Sequence, residues 1–147
     1  MIKINFDTSF HGKFVCYGLM AKDADGFVHG GCMGYVNKEM QIEWAELLAM
    51  EESIKFARSK NWKIVELESD CASLVNRFNR RQEDLTMLGH RVREIKKQTY
   101  FLFRLILIGS HVVVIRSLML FVLGPKQIII LLILIWIIRR ISMNFFK

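Results

Sequence analysis

Lys63-Ile64-Val65-Glu66-Leu67-Glu68-Ser69-Asp70 is the stretch on which the fold turns. Its β-branched and apolar residues follow a break at Asn61-Trp62, so it reads as a strand, and it ends on two carboxylates, Glu68 and Asp70. Immediately upstream the period changes. Ala45, Leu48, Ala49, Phe56 and Ala57 recur at helical spacing, with Glu51, Lys55 and Arg58 opposite, which predicts an amphipathic helix with Glu46 in its first turn. Further upstream, Ile2, Ile4 and Phe6 alternate with Lys3, Asn5 and Asp7 in the period of a half-buried strand. Two short runs, 14–20 and 27–34, flank a turn signal at Asp23-Ala24-Asp25-Gly26. These three segments are predicted to form an antiparallel meander. Downstream, 72–78 suits a second helix and 82–98 a third, with Leu85, Leu88, Val92 and Ile95 at helical spacing. The order β-β-β-α-β-α-α predicts an α/β fold, a mixed sheet covered by helices.

Composition narrows the reading. A chain of 147 residues can bury one core without staples. Cys16, Cys32 and Cys71 are scattered with no zinc or redox spacing, so they are expected to be reduced core residues of an intracellular protein. Nothing after Met1 resembles a signal peptide. The net charge of +7 is unevenly spread. All fourteen acidic residues lie in 1–100 beside fifteen Lys and Arg, whereas 101–147 holds six Lys or Arg and no acid. The basic excess belongs to the tail and is not evidence of nucleic-acid binding.

Four carboxylates stand out: Asp7 ending the first strand, Glu46 in the helix, and Glu68 with Asp70 ending the fourth strand. Taken singly, a strand-end Asp is a turn residue and a first-turn Glu answers the helix dipole. Taken together, if the strands of Asp7 and Asp70 are neighbours, the groups converge at one sheet edge within reach of Glu46. Clustered carboxylates repel unless they share hard cations such as Mg²⁺. Two such ions about 4 Å apart would clamp a phosphodiester.

The flanking residues carry a family resemblance. Asp7-Thr8-Ser9 resembles an Asp-Gly-Ser opening, and Tyr17-Gly18-Leu19-Met20 with Asp23-Ala24-Asp25-Gly26 resembles the second strand and turn that follow it. Ala45-Glu46-Leu47-Leu48-Ala49 is similar to an Ala-Glu-x-x-Ala helix start, and Glu68-Ser69-Asp70-Cys71 to a Glu-Ser-Asp-Ser strand end. Over about residues 2–100 the chain resembles the ribonuclease H-like domain of plant retroelements and stand-alone plant genes. The resemblance implies catalytic, metal-binding carboxylates at Asp7, Glu46 and Asp70, with Glu68 structural or accessory. It also implies Mg²⁺ as cofactor, an RNA–DNA hybrid as partner, and hydrolysis of the RNA strand to a 3′-hydroxyl and a 5′-phosphate. The departure from glycine at Thr8 is mild.

The larger departure lies beyond residue 100. The resemblance implies a further strand reaching Trp-Val-Pro-Arg, then Asn-x-x-Ala-Asp heading a last helix, whose Asp is the fourth metal ligand. Here no Asp follows Asp84 and no Glu follows Glu94. The third base of each codon joined to the first two of the next, from Ile108 to Val122, permits Trp-Val-Pro-Arg-Ser-Cys-Asn-Lys-Val-Ala-Asp-Ala-Leu-Cys. The missing Asp would straddle the codons of Leu118 and Met119. The chain therefore divides into a truncated ribonuclease H-like domain, 1–100, and a hydrophobic basic tail, 101–147, read as out of frame. The expectation is that the last strand and closing helix are degenerate, leaving an apolar patch exposed. The competing reading of the tail is membrane association, although the eleven apolar residues from Ile128 to Ile138 fall short of the roughly 20 that span a bilayer.

Two other groups are weighed. His11, His29, His90 and His111 lack ligand spacing and read as surface or packing residues. Arg77, Arg80, Arg81, Arg91, Arg93, Lys96 and Lys97 read as a solvated helix face, with phosphate contact as the alternative. Three functions remain: a hybrid ribonuclease impaired by loss of the fourth carboxylate, a catalytically inactive nucleic-acid-binding module, and a membrane-associated protein.

Overall fold

A computed structural model describes residues 1–100 and 104–109, all within a compact unit, Met1–His111. Strands β1 (Ile2–His11), β2 (Phe14–Lys22) and β3 (Val28–Asn37) form the meander. Helix α1 (Ile42–Ser59), strand β4 (Ile64–Ser69), helices α2 (Ala72–Asn79) and α3 (Met87–Tyr100) and strand β5 (Arg104–Gly109) follow. The sheet order is β3-β2-β1-β4-β5. β1–β2 and β2–β3 pair antiparallel, while β1–β4 and β4–β5 pair parallel. The mixed sheet expected from the sequence is therefore present, with the meander joined to a parallel strand through β1.

The turn between β2 and β3 forms where its residues demand it. The Asp23 carboxylate accepts the N–H groups of Asp25 and Phe27, each at 3.0 Å, and lies 2.7 Å from His29 Nε2. Gly26 adopts a φ of +88°, which a side chain would resist. β4 lies between β1 and β5, and its Val65, Glu66 and Leu67 are buried in succession rather than in alternation. α1 covers one face of the sheet. Its core stripe is Ala45, Leu47, Ala49, Met50, Ile54 and Ala57, rotated from the expected one so that Leu48 and Phe56 sit at its margin. Leu47, Ala49, Met50, Ile54 and Ala57 pack with Ile4, Phe6, Leu19, Val65 and Leu67 of the sheet and with Leu74, Leu88, Val92 and Ile95 of α2 and α3.

The third helix starts later than its spacing predicts. Residues 82–86 are not helical and Leu85 is 74 % exposed. The Asp84 carboxylate accepts the Thr86 N–H at 3.0 Å and the Thr86 hydroxyl at 2.7 Å. The same hydroxyl oxygen accepts the Gly89 N–H at 3.1 Å, an N-cap that starts α3 at Met87. Arg77 pairs with Asp84 and, at 3.4 Å, with Glu43, tying α1, α2 and this loop together.

The Thr86 hydroxyl, the Thr86 N–H and Arg77 hold the Asp84 carboxyl at about 2, below its ordinary 3.8. Because the folded value is depressed, the stabilisation is complete above pH about 4 and is lost as pH falls toward about 2. Urea midpoints at pH 5 and pH 2.5 should therefore differ less in Asp84→Asn than in the wild type. Equal acid sensitivity in the two proteins would contradict this cap.

β5 is the clearest correction. The sequence led us to expect no fifth strand, yet Arg104–Gly109 pairs parallel with β4 from Ile64↔Arg104 to Ser69↔Gly109. Its composition, Arg-Leu-Ile-Leu-Ile-Gly, suits a strand beside a buried parallel neighbour. The shifted-frame motif beyond Gly109, the missing closing helix and the membrane reading of the tail lie outside the described residues. Among the described residues no helix is long and apolar enough to cross a membrane.

Candidate metal centre

In the parallel register of β1 and β4, Asn5 lies opposite Glu68. Two residues further on, Asp7 and Asp70 come to the same sheet edge, Asp7 within β1 and Asp70 just beyond β4. α1 begins at Ile42 after a β3–α1 connection of four residues, which brings Glu46 to that edge from the helix side. Ligand atoms of Asp7, Glu46 and Asp70 all lie within 4.8 Å of one another. Glu46 is 1 % exposed, Asp7 is half-buried and Asp70 is exposed, so the cluster has a closed floor and an open side. It is the one such group of possible ligands among the described residues.

The donor set fits a hard divalent cation. Three carboxylates supply only oxygen, and 4.8 Å is close to the span of about 4 Å across an octahedral Mg²⁺ shell. Carboxylates are also the side chains that Mg²⁺ uses when it keeps water and substrate phosphate in its remaining positions.

Thr8, only 3 % exposed, touches two of the three carboxylates. Its N–H donates to Asp7 Oδ1 at 2.8 Å and its hydroxyl donates to Glu46 Oε1. Sequence reasoning missed this role, because nothing local in Asp7-Thr8-Ser9 says that the hydroxyl meets a residue 38 positions away. Glu68 stands apart from the cluster. It accepts a hydrogen bond from Asn5 Nδ2 and lies 3.6 Å from Lys3 Nζ, which also pairs with Glu66 at 2.8 Å. The hydrogen bond to Glu66 raises the Lys3 pKa above its usual value against the opposing effect of burial.

The basic run is partly spent on internal pairing. Arg91 bridges Glu51 at 2.7 Å and Glu94 at 2.9 Å, Arg93 pairs with Glu83 at 2.7 Å, and Arg77 is held as described above. Lys96 lies 4.9 Å over the Phe78 ring, and its burial lowers its pKa. Arg80, Arg81 and Lys97 are exposed. His29 serves the β2–β3 turn rather than a metal.

A five-stranded mixed sheet in the order β3-β2-β1-β4-β5, with carboxylates gathered where β1, α1 and β4 meet, defines a ribonuclease H-like domain. The model of the reverse transcriptase-like family matches residues 5–106, and the chain belongs to that family. No curated protein matches the chain. Among solved structures it is similar to ribonuclease H1 of the archaeon Halobacterium salinarum, at 14 % identity and a TM-score of 0.65. That match covers 74 % of this chain and 84 % of that one. LC11 ribonuclease H1, isolated from compost by a metagenomic approach, is similar at 17 % identity and a TM-score of 0.62, over 74 % of this chain and 83 % of that one. The same enzyme solved with an RNA/DNA hybrid is similar at 15 % identity and a TM-score of 0.57, over 75 % and 85 % of the two chains. At these identities the likeness is one of fold.

Proposed function

We propose that this chain binds RNA–DNA hybrids and holds Mg²⁺ on Asp7, Glu46 and Asp70, with hydrolysis of the RNA strand impaired by the missing fourth carboxylate. The observation that carries this reading is the convergence of the three carboxylates within 4.8 Å on a ribonuclease H-like sheet. The hybrid-bound LC11 enzyme, similar in fold, supports the choice of partner.

The chain's own residues divide the work. Asp7 would bind from β1, Asp70 from just beyond β4, and Glu46 from the buried floor. Magnesium held there supplies Lewis-acid polarisation of a phosphoryl oxygen and activation of water. Thr8 hydrogen-bonds to Asp7 and Glu46. The exposed side at Asp70 leaves room for a phosphodiester, and recognition would rest on backbone shape and 2′-hydroxyls rather than base sequence. With three carboxylates in place of four, one of two cations lacks a ligand, so binding outlasts catalysis.

The test is incubation of the full chain with an end-labelled hybrid in Mg²⁺, following binding by anisotropy and cleavage on a gel. Hybrid binding with little or no cleavage is expected. Robust cleavage abolished by Asp7→Asn would overturn the impairment, and absence of hybrid binding would overturn the choice of partner.

A further inference from the structure

We propose that Thr8 is a positioning residue of the carboxylate cluster, presetting Asp7 and Glu46 for a divalent cation and favouring ligation by Glu46 through one oxygen. This rests on the metal-site reading above and assigns the cluster a preference among cations.

The contacts come from two chemically different donors. The backbone N–H of Thr8 would reach Asp7 whatever the side chain at this position. The hydroxyl is what adds the bond to Glu46, and it is what distinguishes Thr8 from the glycine of the Asp-Gly-Ser pattern. Both Thr8 and Glu46 are almost fully buried, at 3 % and 1 % exposure. In such surroundings a hydroxyl without an acceptor, or a carboxylate short of donors, is costly, so each holds the other in one rotamer. Ligands are commonly oriented in this way by a partner behind them, and losing that partner typically weakens metal binding 10- to 100-fold.

The same bond affects selectivity. The Thr8 bond takes one lone pair of Oε1 and fixes the tilt of the Glu46 carboxylate, which disfavours chelation of a single ion through both oxygens. Ca²⁺ takes carboxylates in bidentate fashion at longer distances and in flexible geometry, whereas Mg²⁺ demands a compact octahedron with one oxygen from each ligand. Mn²⁺ shares the oxygen preference of Mg²⁺ and serves as its spectroscopic and calorimetric stand-in. Thr8 therefore favours the smaller octahedral ions and disfavours Ca²⁺.

Thr8→Val removes the hydroxyl while keeping the N–H, the β-branch and nearly the same volume, and Thr8→Ser restores a hydroxyl. The experiment is calorimetric titration of the full chain with MnCl₂ and with CaCl₂, without nucleic acid, alongside thermal midpoints in EDTA. In Thr8→Val the Mn²⁺ Kd should rise about tenfold. The Ca²⁺ Kd should stay or fall, and Thr8→Ser should remain within about twofold of the wild type for both ions. Thr8→Ala serves for the same comparison if the valine variant does not fold. Unchanged Kd values in Thr8→Val would overturn the proposal. So would parallel weakening of both ions together with a lower EDTA midpoint, which would mark Thr8 as a packing residue only. A wild-type chain that binds neither ion would instead refute the metal site itself.

Discussion

Replacing the chain from Ile108 onward by the sequence permitted in the shifted frame should raise Mg²⁺-dependent cleavage of an RNA–DNA hybrid about a hundredfold or more. The replacement supplies an Ala-Asp pair at the head of a closing helix, and with it the fourth carboxylate the present chain lacks after Asp84 and Glu94. A cation's contribution to stabilising developing charge is worth several kcal/mol, and each 1.36 kcal/mol is tenfold in rate, so an incompletely held ion costs orders of magnitude. Single-turnover rates of the two proteins at saturating Mg²⁺ make the comparison, with hybrid affinity measured in parallel to separate binding from chemistry. An unchanged rate in a folded, hybrid-binding replacement would mean that the missing ligand is not what limits this chain. The genomic codons give an independent check, since Leu118 and Met119 must read across as Asp.

Neutralising Asp7 should stabilise the protein without metal and remove its response to metal. Asp7, Glu46 and Asp70 hold like charges within 4.8 Å. At the effective dielectric of a protein surface such a pair repels by roughly 3 kcal/mol before solvent and neighbouring donors reduce it. Relief of about 1 kcal/mol corresponds to a rise of about 2–4 °C in the midpoint of a domain of roughly 150 residues, the size of this chain. Asp7→Asn should therefore melt several degrees above the wild type in EDTA. The wild type should gain stability as Mg²⁺ is added, by linkage to binding, and Asp7→Asn should gain almost none. A variant that melts lower in EDTA and still responds to Mg²⁺ would show that Asp7 is a structural residue of β1 and not a metal ligand.

Much of this fold was legible because its signals are joint. Ile2, Ile4 and Phe6 fix the phase of β1, the Asp23–Gly26 turn fixes the hairpin, and Asp7 with Asp70 makes sense only if β1 and β4 are neighbours. The misreadings have local physical causes. Leu85 continues the spacing of Leu88, Val92 and Ile95, but Asp84 and Thr86 offer the backbone a competing set of hydrogen bonds, and the helix starts at Met87, five residues later than expected. The expected stripe of α1 differs from the buried one because Leu47, Leu48 and Met50 are interchangeable by hydropathy, and only packing selects Leu47 and Met50. β5 escaped notice because its Arg104–Gly109 run has the same apolar, β-branched character as the residues after it, so no change in composition marks the strand. At the site, residue types and order pointed to the three carboxylates. The Thr8–Glu46 bond is a contact between distant segments and leaves no trace in either one.

The central claim is that Asp7, Glu46 and Asp70 form one divalent-cation site, and substoichiometric Mn²⁺ added to an isotopically labelled sample tests it most directly. Paramagnetic broadening should strike the amides around Asp7, Thr8, Glu46 and Asp70 first, while those around Asp23, Asp84 and Glu94 remain sharp, and excess Mg²⁺ should reverse it. Broadening that begins at Asp84 or Asp23, or spreads evenly over exposed acidic residues, would contradict it.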